Sequence, residues 1–310
     1  MTEAGDTFAC FGAKAGVRVL GDAEEATAAQ AVRDARDTLL DLHARFTRFD
    51  PGSELSRLNA DPRESVRVST MMALFAEAVV SVAAYTGGLV DATLLGAIER
   101  AGYRSDLRGS VPLPLAIGLA PPRRPARPRP SAAWEAIGVD RLTHTITRPP
   151  GVGLDSGGLA KGLFADVLGE HLAGHASFAV DCAGDLLLGG RDGIVRRIDV
   201  ADPFGGPVRH TFPLASGGVA TSGIGRRSWL DADGRPAHHL LDPSTGRPAF
   251  TGIVQVTAIA PTALEAEVRS KAALLSGPER AEAWLPDGGV VVFDDASHVV
   301  VAAAASSAAA

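Results

Sequence analysis

Two cysteines in 310 residues, Cys10 and Cys182, are too few and too far apart for a disulfide framework. Free thiols suit a reducing compartment. No apolar run approaches the ~20 residues that a membrane helix needs. The amino-terminal segment MTEAGDTFACFGAKAG has neither the basic nor the apolar part of a secretory signal. Basic residues do not outnumber acidic ones: the net charge is -6, so no broad cationic surface for nucleic acid is indicated. CxxC and HExxH are absent, which excludes a thiolate or paired-histidine metal centre and leaves a hard, oxygen-ligated cation such as Mg²⁺. Neither a Walker loop nor a GxGxxG fingerprint occurs. The expectation is a cytoplasmic protein that spans no membrane, binds no nucleic acid, and ends in a disordered Ala/Ser-rich tail at 305–310.

What is present is a globular composition, 46% hydrophobic and 21% charged, with length enough for one large domain or two small ones. Asp22 and Glu25 form a capping pattern before Val32, Ala35, Leu39, Leu42 and Phe46, whose spacing predicts a helix with one buried face. Ser69 caps a second helix, which Gly87 and Gly88 stop. Gly157 and Gly158 precede a third, and Thr262 with Glu265 opens a fourth that runs to about Leu275 before Gly277. Strands are predicted at 178–180, 186–188, 194–200 and 253–260, with a closing hairpin at 290–301. Pro278 fits the first turn of a further short helix. Residues 106–130, crowded with Pro and Arg, read as a solvated loop insertion. Helices and strands mix without a steady βα rhythm. The predicted class is therefore α+β, with mixed, largely antiparallel sheets flanked by helices, and residues 8–304 acting as one domain.

Chemistry concentrates in Ala215 to Pro248, which holds Thr221-Ser222-Gly223, a hairpin signal at Asp231–Gly234, and His239 three residues before Asp242. Such small and titratable groups suit close approach of backbone to a polar ligand. His239 is either a proton acceptor for a hydroxyl or a histidine satisfied at a strand end. A Ser222-His239-Asp242 hydrolase lacks the sequence around a nucleophile elbow. Gly157, Gly158 and Lys161 at a helix start could cradle a phosphate, or form a tight turn with a solvent-facing lysine. Glu267 with Lys271, and Glu265 with Arg269, have the spacing of helix-surface ion pairs.

Five blocks in order turn these fragments into something specific. Phe49 to Asn59 (FDPGSELSRLN) is similar to the SELSRLN block of the ApbE family of FAD:protein FMN transferases. Gly88 to Thr93 (GLVDAT) resembles its GxFDPT, Asp155 to Gly162 (DSGGLAKG) its DLGGIAKG, Ala220 to Gly223 its TSG, and His239 to Pro248 its HIIDPRTGxP. The resemblance implies FAD as donor substrate, a threonine hydroxyl of an acceptor flavoprotein as FMN recipient, and AMP as leaving group. It implies Phe11, Phe49, Leu89, Val90, Asp91, Gly157, Gly158, Ala160, Lys161, Thr221 and Ser222 around FAD, with His239 and Asp242 in catalysis. Metal contacts are implied at the Ala160 backbone and at Glu267, with Mg²⁺ as the ion. The chain departs from the pattern on the last of these helices. Relatives carry Ala-Asp and, four residues on, Thr as Mg²⁺ ligands, where this chain has Ala266-Glu267 and Lys271. A protonated lysine has no lone pair to offer a metal, so the expectation is that Lys271 replaces the ion. Phe11-Gly12-Ala13 stands where relatives usually have Met-Gly-Thr near the flavin. Two other readings follow from the altered ligands: an FAD-binding protein without transfer, and a pyrophosphatase that releases FMN and AMP.

Overall fold

The alternation of Ile253–Ala260 produces the strand predicted there, and it lies well inside a sheet, paired on both sides. In this computed structural model, which describes residues 2–105 and 110–304, the main sheet has eight strands. They are Glu3–Cys10, Ala13–Leu20, Ser177–Asp181, Asp185–Gly189, Gly217–Gly223, Ile253–Ala260, Gly289–Phe293 and His298–Val301. Every neighbouring pair is antiparallel, and the order across the sheet is the order along the chain.

The described helices are α1 (Ala28–Phe46), α2 (Glu54–Ala60), α3 (Thr70–Tyr85), α4 (Leu95–Arg100), α5 (Leu113–Gly118), α6 (Ala160–Leu172) and α7 (Ala263–Ser276). Helix α1 packs on the first two strands, α6 on the next two, and α7 on Gly217–Gly223 and Ile253–Ala260. The fold is α+β and largely antiparallel, as the mixed pattern predicted. The core between these layers is aromatic at its centre. Phe46 of α1 meets Phe75 of α3 and Phe164 of α6 edge-on, with ring centroids 5.4 and 5.0 Å apart. Each such buried ring contributes ~1.5–3 kcal/mol.

Several local readings change. Helix α1 starts at Ala28, capped by Thr27; Asp22 accepts the Ala28 N–H across the intervening turn, so the carboxylate does cap, from six residues away. The Thr262 and Ser69 caps and the Gly277 stop (φ 78°) form as predicted, though the box at Thr262 is half made: Thr262 Oγ1 accepts the Glu265 N–H, and the Glu265 carboxylate goes to Arg269. No helix begins at Pro278; the next helical turn is Glu282–Trp284. Strand Arg196–Val200 is shorter than predicted and pairs with His210–Leu214 outside the main sheet.

The Pro/Arg-rich stretch is largely exposed and extended, as its composition predicted, but it is more than a solvated loop. It holds α5, with Pro114 tolerated in the first turn. It then runs extended and tied. The N–H groups between the prolines reach out: Arg124 to Phe250 O at 2.9 Å, Ala126 to Leu275 O at 2.8 Å, and Arg127 to the Asp242 carboxylate at 3.0 Å. Proline fixes the backbone extended and leaves its neighbours as donors, which suits a strap. Residues 106–109 of that insertion, and the tail expected at 305–310, lie outside the described residues.

Candidate active site

Helix α6 is the floor of the site, and three loops are drawn to its start. Asn59, at the end of the SELSRLN block, clamps Leu154 through both its backbone groups at 2.8 Å. Asp155 donates its N–H to Ala92 O at 2.8 Å, and its carboxylate lies 3.4 Å from Arg48 Nε. Ser156 Oγ donates to Phe46 O at 2.8 Å. The chain then turns through Ser156–Gly158 and enters α6 at Ala160 with no side-chain cap. The N–H groups of Ala160 and Lys161 stand at the cleft, with the positive end of the helix dipole, whereas the third N–H of this turn, that of Gly162, is taken by a carboxylate of α7.

Helix α7 is held against α6 by Asp166, whose carboxylate accepts the N–H groups of Ala263 (2.7 Å) and Leu264 (3.0 Å). Burial raises that carboxyl to about 6. Both predicted i,i+4 pairs of α7 form; Glu265–Arg269, at 2.6 Å, lies near the surface, but Glu267–Lys271 does not. Glu267 is fully buried and Lys271 is 7% exposed. Glu267 Oε2 accepts the Gly162 N–H of α6 at 2.8 Å, and Oε1 accepts from Lys271 Nζ at 2.8 Å. Lys161 Nζ lies 3.8 Å from the same Oε1 and donates to Asp185 Oδ2. Nor does Lys161 face solvent, as its glycine turn alone allowed. The outcome reflects tertiary pairing that helix spacing cannot reveal: the partners come from α6 and from the strand Asp185–Gly189.

Desolvation opposes the charge of Lys161, Glu267 and Asp185. For Lys161 the carboxylates of Asp185 and Glu267 outweigh burial and hold the ammonium above its ordinary value. For Glu267, Lys271 and then Lys161 outweigh burial and keep the carboxyl low. For Asp185 burial and the Glu267 charge win, raising it to about 6.

These groups border one cleft of about 1290 Å³. Small-ligand sites typically span ~300–1,000 Å³, so this one has room for a dinucleotide. Phe11, Phe49, Leu89, Val90, Asp91, Gly157, Gly158, Ala160, Lys161, Thr221, Ser222, His239 and Lys271 all line it. Glu267 lies beneath the lining. Phe11 sits in the first hairpin turn with φ 55°, its carbonyl accepting from Arg227 at 3.0 Å. At the mouth, Phe49 is 39% exposed, and the Arg48 guanidinium lies 4.4 Å from its ring and 4.5 Å from that of Tyr103. Asp91 is held by Thr93 and by Arg129 of the strap at 3.2 Å. Ser222 Oγ pairs with Ser270 Oγ of α7 at 2.8 Å, and Thr221 with Thr257 at 2.8 Å.

His239 stands in the wall with its N–H on Arg227 O at 3.3 Å, and Nδ1 of the ring has no hydrogen-bond partner. Burial, then the charges of Arg227, His238 and Lys271, hold this imidazole well below its ordinary value. It is a neutral ring facing a polar cleft. Its neighbour His238 turns inward, packs on Phe250 and is pushed down to about 3 by burial. Asp242 does not line the cleft. Its carboxylate accepts from Arg127 N, Ser244 N, Ser244 Oγ and Thr245 Oγ1, and so fastens the strap to the turn after His239. Ser222 has no imidazole partner, so no nucleophilic triad forms. Asn59, Asp185, Arg48 and Arg227 are site residues that the sequence reading does not single out; only a place in a motif (Asn59), next to one (Arg48) or beside a turn (Asp185) flags them.

The oxygen donors do not fit a divalent cation. Both oxygens of Glu267 are already engaged, one by an ammonium, and Asp185 is engaged by another. Among the described residues, no three His, Cys, Asp or Glu converge as a metal site. A hard cation needs six or more oxygen ligands, and two lysines beside it would repel it.

Related proteins share this architecture. A FAD:protein FMN transferase of Treponema pallidum is 30% identical over 249 residues, 75% of this chain and 67% of the relative. One of Vibrio cholerae is 26% identical over 259 residues, 80% of this chain and 74% of the relative. The crystal structure of the ApbE protein of Thermotoga maritima superposes with a TM-score of 0.77 at 24% identity, covering 96% of this chain and 97% of that one. The ApbE family profile matches residues 11–293, a span that takes in every block of the cleft from Phe11 to Lys271, and the chain belongs to that family.

Proposed function

We propose that this chain is a FAD:protein FMN transferase. The observation that carries the reading is the convergence on one cleft of three pieces: the start of α6 with Lys161, the imidazole of His239 held neutral in the wall, and the aromatic mouth of Phe49 and Tyr103. Helix N–H groups with adjacent glycines suit a diphosphate. The aromatic and guanidinium faces suit a ring system of FAD.

In this reading the acceptor's threonine oxygen attacks the phosphorus of the FMN half. A phosphoester bond forms to that oxygen, the bond to the AMP half breaks, and AMP leaves with the electron pair. The hydroxyl proton passes to His239, which is available as a base because it is held neutral. Lys161, Lys271 and the α6 start face the charge that grows on the leaving group. Asp242 acts by fixing the turn behind His239 and not by touching substrate. The family resemblance implies Mg²⁺, but the donor set does not accommodate it, and no step is assigned to it.

Residues 8–304 act as one domain in this reading, since every piece of the cleft lies within them. The free, buried Cys10 and Cys182 support work in a reducing compartment, the cytoplasm. No described helix is long and apolar enough to cross a membrane. The partner is a protein that presents a threonine to the cleft. Chromatography of nucleotides after incubation with FAD tests the reading. Transfer requires AMP only when an acceptor is present, with flavin fluorescence surviving denaturation of the acceptor. AMP without an acceptor would make the chain a pyrophosphatase; retained FAD with no AMP under any condition would make it a binding protein.

A further inference from the structure

We propose that fixed cationic side chains take the place of a divalent metal at the diphosphate, and that FAD binding by this chain needs none. The inference rests on the transferase reading and deepens it. Lys271 projects from α7 into the cleft, one of its donors spent on Glu267 at 2.8 Å, leaving two for a phosphate oxygen. Lys161 reaches the same region from α6, within 3.8 Å of the same carboxylate oxygen. Arg227 lines the cleft beside His239. Lys161 and Lys271 thus face two buried carboxylates, Glu267 and Asp185; Asp181 adds a third beside Lys161, and Arg226 and Arg227, which also line the cleft, carry the charge past balance to the positive side where a diphosphate would lie. The carboxylates have a different task from ligation: they hold the ammonium groups in place and charged within a dry wall. An ammonium is a compact point charge with rotatable donors, suited to phosphate without fixed geometry. It polarises phosphorus less than a divalent ion would, so a slower chemical step is the expected consequence.

The test is titration calorimetry of the full chain with FAD, in EDTA and in Mg²⁺. The wild-type dissociation constant is expected to agree within about twofold between the two, and Mg²⁺ alone to give no binding heat. Lys271→Met is expected to weaken FAD roughly thirtyfold or more in both buffers, because a desolvated charge partner is lost. The double variant Glu267→Gln, Lys271→Met removes both members of the buried pair and keeps the wall neutral. It is expected to fold, by its melting transition, and to show the same weakening. Glu267→Asp with Lys271→Thr restores oxygen donors and is expected to make FAD affinity rise with Mg²⁺. A wild-type affinity that collapses in EDTA and returns with Mg²⁺ overturns the inference alone. So does a Lys271→Met protein that binds FAD as tightly as the wild type. Absence of FAD binding in both buffers overturns the transferase reading along with it.

Discussion

The backbone N–H of Gly162 in α6 donates to Oε2 of Glu267 in α7 at 2.8 Å, and it can do so because Gly162 has no side chain. A Cβ there would lie 2.6 Å from Leu264 Cα and 2.7 Å from Ala263 O. The close helix contact and the placement of the buried carboxylate are one arrangement.

Gly162→Ala therefore forces the helices apart. The backbone of Leu264 cannot yield as a flexible side chain would, so an overpacking cost of ~1–3 kcal/mol is expected. The melting temperature should fall, and FAD affinity should fall with it as Glu267 and Lys271 shift. An unchanged melting curve would show that the contact is looser than described.

The pH profile of kcat/KM reports the free protein. An imidazole at its ordinary value would lose its base form as pH falls through 6.5. In this chain burial, Arg227, His238 and Lys271 depress His239, so the neutral form persists to lower pH. The acidic limb attributable to His239 should lie below pH 6.5 by this sign. Arg227→Met removes one of the depressing charges and should move that limb upward. A limb at or above 6.5 in the wild type, absent in His239→Gln, would contradict the assignment.

Phe49 is 39% exposed and packs against Tyr103 at a centroid distance of 5.5 Å. Phe49→Ala should leave the melting temperature within a degree or two while weakening FAD by ~1–3 kcal/mol, the range for stacking of a base on an aromatic ring. Fluorescence quenching of FAD measures this. Equal FAD affinity in the variant would remove Phe49 from the binding surface.

Asp242→Ala unfastens the strap from the turn by removing the acceptor of Arg127 N, Ser244 N and two hydroxyls. Buried donors left unpaired cost ~1–3 kcal/mol. Limited proteolysis should then cut within 120–130 sooner than in the wild type. If instead kcat drops as far as in His239→Gln with no change in cleavage, Asp242 acts on the reaction itself.

Much of the fold could be read from local rules, because local chemistry decides it. Ser69 and Thr262 are capping residues whatever surrounds them, and Gly277 ends α7 because its φ of 78° suits glycine. The strand Ile253–Ala260 follows from its alternation. The first hairpin, Glu3–Leu20, was not predicted, since its first strand has mostly exposed or half-buried residues and no apolar period. Spacing alone makes Glu267 and Lys271 a helix-surface pair, whereas the family resemblance points both into the site. Only Gly162, Lys161 and Asp185, distant in sequence, turn that face inward. The exposed, extended course of the Pro/Arg-rich strap is legible in its composition, but its tethers are not, because its bonds go to Phe250, Leu275 and Asp242. The cleft residues were legible as motifs, whereas the clamp of Asn59 on Leu154 exists only between two of them.

Strand order in the main sheet follows chain order without a single crossing. A polypeptide leaving the ribosome could lay each new strand against the one before it, with no earlier edge to reopen. The ammonium cluster would be completed when α7 docks on α6, after six of the eight strands are made and before the closing hairpin adds the last two, so the place for nucleotide arises late, together with the sheet's final edge.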